Sequence, residues 1–174
     1  MAQVREIDID ELVAENRRRY DDIYGPYDPW TGENCYDFEH RELLELPDFM
    51  IPKMWVPKEC MRTLLYRGLK QLGSLKEYII RVWRKEYNEK SYYTKQLIMV
   101  LTFEIMKVRF TEDPEFALYA TDKIEDKVTG NMIPFKLNYP QRLLLRIFED
   151  LRTNKKAIRV VILKARQWGG STLT

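Results

Sequence analysis

The chain has 174 residues, 45% of them hydrophobic, 13% aromatic and 32% charged, a balance that excludes a disordered tail and allows one domain, or one small domain plus part of another. A formal net charge of +2 excludes nucleic-acid binding through bulk electrostatics, so any DNA contact has to come from local basic patches. With two cysteines, Cys35 and Cys60, and one histidine, His40, no ligand set has zinc spacing, and a reducing, cytosolic compartment is the expectation.

The opening text, MAQVREIDIDELVAENRRRYDD, alternates apolar and charged residues and lacks the apolar core of a signal peptide. No stretch approaches the roughly 20 apolar residues of a membrane span. Residues 8–23 read as a first helix, capped by Asp8 or Asp10, with Leu12, Val13 and Ile23 on an incomplete apolar stripe. From Gly25 to Pro57 the chain is dense in Pro, Gly and aromatics, which predicts an extended wrapping segment with at most a short helix near 39–46. Asp28 and Glu39 have the spacing of the first and last acids of a calcium loop. Trp30 and Gly32 stand at ligand positions, however, and Glu33 stands where the loop needs glycine, so the pattern argues against calcium.

Pro57 opens a predicted helix that ends at Gly73. Ser74 with Glu77 forms a capping-box pattern ahead of LKEYIIRVWRKEY. Ser91 opens a long apolar run that predicts a central buried helix. Pro114 sits in the first turn of a short helix, and a turn at Thr129-Gly130-Asn131 separates two strand-like arms, which predicts a hairpin. Pro140 starts a further helix with Leu143, Leu144, Ile147, Phe148 and Leu151 at helical spacing, and after TNKK the run AIRVVILK has the β-branched character of a buried parallel strand. The organisation expected is therefore 1–57, an N-terminal helix and wrapping segment; 58–112, a helical hairpin or bundle; and 113–174, a hairpin, a helix, a strand and a loop. The fold class is mixed: mainly helical at first, then a β-hairpin and the beginning of an α/β core.

The closing text, KARQWGGSTLT, carries the chemistry. A phosphate-binding loop needs a buried strand, backbone N–H groups that point inward, a cation for the phosphates and a hydroxyl for magnesium at the next helix start. Ile158 to Leu163 supplies the expected strand, and Gly169 and Gly170 permit close backbone approach. Ser171 falls at the magnesium-ligand position, with Thr172 beside it. Gly170 stands where the usual lysine belongs, so the charge is relocated: Lys164 at the start of the loop can curl over the phosphates, Arg166 is a second cation, and Gln167 can orient a phosphate. The plainer alternative is an ordinary Gly-Gly turn with solvated Lys164 and Arg166. Upstream, LNYPQR places Gln141 where it can hydrogen-bond an adenine edge and Tyr139 where it can stack on it; against this stand a solvated first-turn glutamine and a core aromatic.

Taken together, FKLNYPQRLLLRIFEDL, the intervening strand and ILKARQWGGSTLT resemble the N-terminal part of the ATPase domain of phage terminase large subunits, the DNA-packaging motors of tailed bacteriophages and prophages. In that family an adenine-binding Gln motif precedes a loop with Arg-Gln, one residue, Gly, then a lysine and Ser/Thr. Arg166, Gln167, Gly169, Ser171 and Thr172 match, Gly170 does not, and Lys164 stands where some members carry a displaced lysine. The resemblance covers residues 133–174, extends weakly over the preceding hairpin, and rests on no motif in residues 1–105. It implies a P-loop α/β ATPase core followed by an RNase H-like nuclease. It also implies ATP and Mg2+ as cofactors, double-stranded DNA, a portal protein and a small terminase subunit as partners, and the cytoplasm of an infected or lysogenic bacterium as location. The Walker B acids and nuclease acids of the family follow the loop, so the residues present here are expected to hold half of a nucleotide site and no catalytic group. A helicase-like P-loop ATPase is one alternative. The other is a non-enzymatic helical module that docks portal, small terminase or DNA.

Overall fold

The computed structural model describes residues 8–14, 17, 26–35, 40–126, 129–159 and 161. The described residues form helices and two small antiparallel sheets of two strands each. The chain divides into two compact units, one of residues 27–136 and one of residues 1–26 with 137–174; the first draws on all three segments distinguished in the sequence.

The 27–136 unit begins with a tight turn. Asp28 takes the Trp30 N–H at 2.9 Å on one carboxylate oxygen and the Thr31 hydroxyl at 2.9 Å on the other. Its carboxylate therefore organises a turn. Residues 41–45, in the span read as a short helix, instead form strand β1 (Arg41–Glu45), antiparallel to β2 (Lys53–Pro57) in the register Leu44 to Met54. Leu-Glu text favours a helix locally, but KMWVP offers a β-prone partner five residues long, and pairing with it buries Leu44, Met54 and Val56 together. The intervening turn is closed by the Leu46 N–H, which donates to the Pro52 carbonyl at 2.8 Å.

The helix expected over 57–73 is two helices, α1 (Lys58–Arg62) and α2 (Leu64–Leu72). Thr63 between them is extended, and its Oγ1 donates to the Cys60 carbonyl while accepting the Tyr66 N–H, so one side chain ends one helix and starts the next. Gly73 closes α2 at φ 66° in the left-handed conformation that a side chain resists. Helix α3 (Leu75–Arg81) is shorter than the text LKEYIIRVWRKEY suggested, and Arg84 adopts a positive φ beyond its end. Ser74 caps α3 as expected, but the Glu77 carboxylate is engaged with Arg81 at 2.7 Å. Asp48 adds a separate cap, accepting from Ser74 Oγ and from the N–H groups of Leu75 and Lys76 at the start of the helix.

Helix α4 (Tyr92–Glu112) crosses this core. Thr94, Leu101, Ile105 and Arg109 are buried on one face, and the Tyr66 hydroxyl donates to the Ile105 carbonyl at 2.9 Å. The expected enclosure is only half realised, because Tyr92, Met99 and Phe103 on the opposite face are exposed. Helix α5 (Pro114–Thr121) follows, with Pro114 in its first turn as expected, and β3 (Lys123–Glu125) pairs with β4 (Met132–Pro134) in the predicted hairpin. Gly130 has φ 68°, and Asp126 holds the turn by accepting from the Thr129 N–H and hydroxyl.

In the other unit, residues 9–14 are helical, and Asp8 accepts from the Asp10 N–H at 2.9 Å, so of the two caps the sequence offered, Asp8 or Asp10, it is Asp8 that serves. Helix α6 (Tyr139–Thr153) also begins where Pro140 and the apolar periodicity predicted. The strand expected over 158–163 is not formed by its described residues. Residues 156–159 and 161 carry no ladder, and Ile158 and Val161 are 55% and 90% exposed. A parallel strand exists only through bonds to flanking strands, and the described strands are paired within their own hairpins. A P-loop core is thus not among the described elements.

Candidate functional site

The adenine side of the candidate nucleotide site lies at the start of α6. Asn138 is the N-cap: its Oδ1 accepts the Gln141 N–H at 3.0 Å, and Gln141 Oε1 accepts the Asn138 N–H at 2.8 Å. This reciprocal capping box satisfies two backbone donors that a helix start otherwise leaves unpaired. Gln141 is only 4% exposed, so its side chain is committed locally rather than solvated. Reading a base edge through Oε1 would require that oxygen to share its second lone pair. Tyr139 lies in the first turn of α6, and its side chain falls outside the described residues.

Helix α6 ends in a tight reversal. Lys155 has φ 53°, and the Lys156 N–H donates back to the Leu151 carbonyl at 2.8 Å, so TNKK turns the chain out of the helix. The phosphate-side residues, Lys164, Arg166, Gln167, Gly169, Gly170, Ser171 and Thr172, lie outside the described residues. Among the described residues no group of His, Cys, Asp and Glu could hold a metal ion, and no helix is long and apolar enough to cross a membrane.

The 27–136 unit holds a charged cluster that the sequence reading missed. Arg41 makes a two-pronged pair with Asp113, Nη1 to Oδ2 and Nη2 to Oδ1, each at 2.9 Å. Nη1 also donates to the Trp55 carbonyl at 3.0 Å, and Nη2 lies 3.4 Å from Glu115 Oε2. Arg109 reaches the same Asp113 through Nε at 3.2 Å and donates to the carbonyls of Trp30 at 2.6 Å and Pro29 at 3.0 Å. Its guanidinium stacks over the Phe116 ring at 4.0 Å. Arg109 and Asp113 are completely buried, and Arg41 and Glu115 nearly so.

The electrostatics follow from burial. Burial works against the Arg41 charge, but Asp113 more than offsets it and holds the guanidinium above its ordinary pKa. Cys35, which donates to the Asp28 carbonyl, is pushed up by burial and then by Glu115. Burial likewise lifts the Cys60 thiol to about 12, so neither group is poised as a nucleophile. The cluster joins the turn at residues 28–33, β1, β2 and the α4–α5 junction, and its bonds are spent on that junction. The four-residue spacing of Arg109 and Asp113 was legible as a helix pair. Nothing local identified Arg41, which is 72 residues from its partner.

No protein-family model matches the chain, and no curated protein or solved structure matches it.

Proposed function

We propose that the chain is the N-terminal part of a phage or prophage terminase large subunit, the ATP-driven motor that packages and cuts viral DNA. The observation that carries this reading is the succession, within residues 133–174, of a capped helix with Gln141 in its first turn, an apolar β-branched run, and the loop text KARQWGGST. In this reading Tyr139 and Gln141 bound the adenine, while Lys164, Arg166 and the N–H groups around Gly169 and Gly170 neutralise phosphate charge. Gln167 orients a phosphate, and Ser171, beside Thr172, presents its hydroxyl to Mg2+. The strand and P-loop α/β core belong to the same proposal, as do double-stranded DNA, portal and small terminase as partners and the host cytoplasm as location.

Two measurements test it. Reading the source DNA past codon 174 should show an apolar strand ending in Asp-Glu and then spaced metal-binding acids; helicase-type motifs would instead make the chain a helicase-like ATPase. In the protein itself, Lys164→Ala and Ser171→Ala should each weaken Mg·ATP binding by about tenfold or more, the loss expected for one charge-assisted contact. Binding that neither substitution changes would remove the loop from the site.

The independent core of residues 27–136 favours one second reading, a docking module. Salt-dependent DNA binding by the full chain, weakened by charge reversal at Arg81 and Lys85, would support it.

A further inference from the structure

Helix α4 is apolar on both of its faces. Thr94, Leu101, Ile105 and Arg109 turn into the core, while Tyr92, Met99, Phe103 and Phe110 form a stripe along the opposite side, spaced by seven, four and seven residues. Tyr92, Met99 and Phe103 are 75%, 66% and 67% exposed, and Phe110 keeps part of its ring in solvent while packing on Phe116. Tyr93 and Val100 widen the stripe on one side, and Lys95 and Lys107 flank its midline, one on each side. A helix of this kind leaves a face that water solvates poorly.

We infer that this face pairs with the same face of a second copy of the chain, antiparallel, about a two-fold axis passing beside residue 101. Two observations select that occupant. The stripe is self-complementary under the axis: Tyr92 meets Phe110 of the second copy, and Met99 meets Phe103 of the second copy, placing a thioether against an aromatic ring at each of two central contacts. On the flank, Tyr93 falls beside Lys107 of the second copy, a cation over a ring rather than a like-charge clash, and Val100 meets its own equivalent near the axis. The area also fits. At about 150–250 Å² for an aromatic side chain, the exposed parts of Tyr92, Tyr93, Met99, Val100, Phe103 and Phe110 amount to roughly 600–700 Å² per copy. With the stems of Gln96 and Lys107 this approaches the ~800 Å² per partner of a stable interface. The inference is independent of the nucleotide reading.

Sedimentation equilibrium of the full chain tests it. A concentration-dependent species of twice the 21.0 kDa monomer mass is expected, dominant at about 100 μM. Phe103→Glu should weaken the dimer at least tenfold, and circular dichroism should show an unchanged fold because the side chain is exposed. If the charged variant precipitates, Phe103→Gln gives the same readout. Met99→Cys mixed with Phe103→Cys should cross-link to each other in preference to either with itself. A monomer at that concentration overturns the inference, whether the face stays bare or is covered by another part of the chain. A dimer indifferent to Phe103, or Met99→Cys linking chiefly to itself, overturns it equally.

Discussion

At the scale of single residues, Asp113 does the most. One carboxylate receives both prongs of Arg41, the Nε of Arg109 and, at 3.4 Å, the Phe116 N–H as N-cap of α5. Removing it leaves the buried guanidinium groups of Arg41 and Arg109 without the carboxylate they share. Asp113→Ala should therefore destabilise the protein by about 3–5 kcal/mol, as expected for breaking a buried ion pair from one side. Guanidinium denaturation measures this, and a loss below about 1 kcal/mol would show that the cluster is relaxed or solvated. The converse substitution, replacing the whole cluster by apolar residues, need not destabilise, because burying the charges costs about what their attraction returns. The cluster's distinct contribution is geometric: Arg109 has two N–H groups whose acceptors are backbone carbonyls of Pro29 and Trp30, which pins the register of that turn. Gly32 in the same turn, at φ 78°, lets the Trp55 carbonyl occupy the space that a Cβ would take.

At the scale of elements, helix ends explain where the structure departs from the periodicity. Thr63 breaks one expected helix into two because its hydroxyl serves both ends, and α3 gains from Asp48 acceptors for its first two N–H groups, donors that Ser74 and Glu77 leave open. Burial of Asp48 opposes its ionisation, but the N–H groups of Lys76 and Leu75 and the Ser74 hydroxyl outweigh that and hold its pKa below the ordinary 3.8. A depressed carboxyl stabilises the fold above its unfolded pKa, and that contribution is lost as pH falls through the folded value. Asp48→Ala should thus cost about 1 kcal/mol at pH 7. The gap between variant and parent should narrow as pH drops below 3.8. Thermal melts at several pH values check this, and a gap that stays constant through that range would remove Asp48 from the cap.

At the scale of the whole molecule, the 27–136 unit closes around Leu44, Met54, Cys60, Tyr66, Leu69, Ile79, Leu101 and Ile105, all at zero exposure. Cys60 therefore reports on opening of the core. Its thiol, raised from 9.0 to about 12, is protonated when folded and ionises when unfolded, so folding stability should be intact below pH 9 and decline as pH rises from there toward 12. The Tyr66 hydroxyl, also raised by burial and bonded to Ile105, acts in the same direction. Thiol reagents at pH 8 should accordingly modify Cys60 at the rate of unfolding rather than at the rate of a free thiol. Immediate modification in the native protein would show that this core is open.

The sequence by itself determined the features written in adjacent residues: an N-terminal cap at Asp8 or Asp10, Gly73 as a helix stop, Pro114 and Pro140 as helix starts, and the hairpin turn at Gly130. These are local because their cause is local, a fixed φ, a missing N–H or a side chain that folds back on its own backbone. It also placed Gln141 at the helix start, although the bond its side chain makes there is the cap. Only the tertiary structure decided that RELLE is a strand, that Asp48 caps a helix 27 residues away, and that Arg41 belongs with Asp113. Each of those depends on a partner distant in the chain, and burial sets the energy of each: strand pairing is stabilised by the apolar face it encloses, and an ion pair holds its geometry firmly where water is excluded.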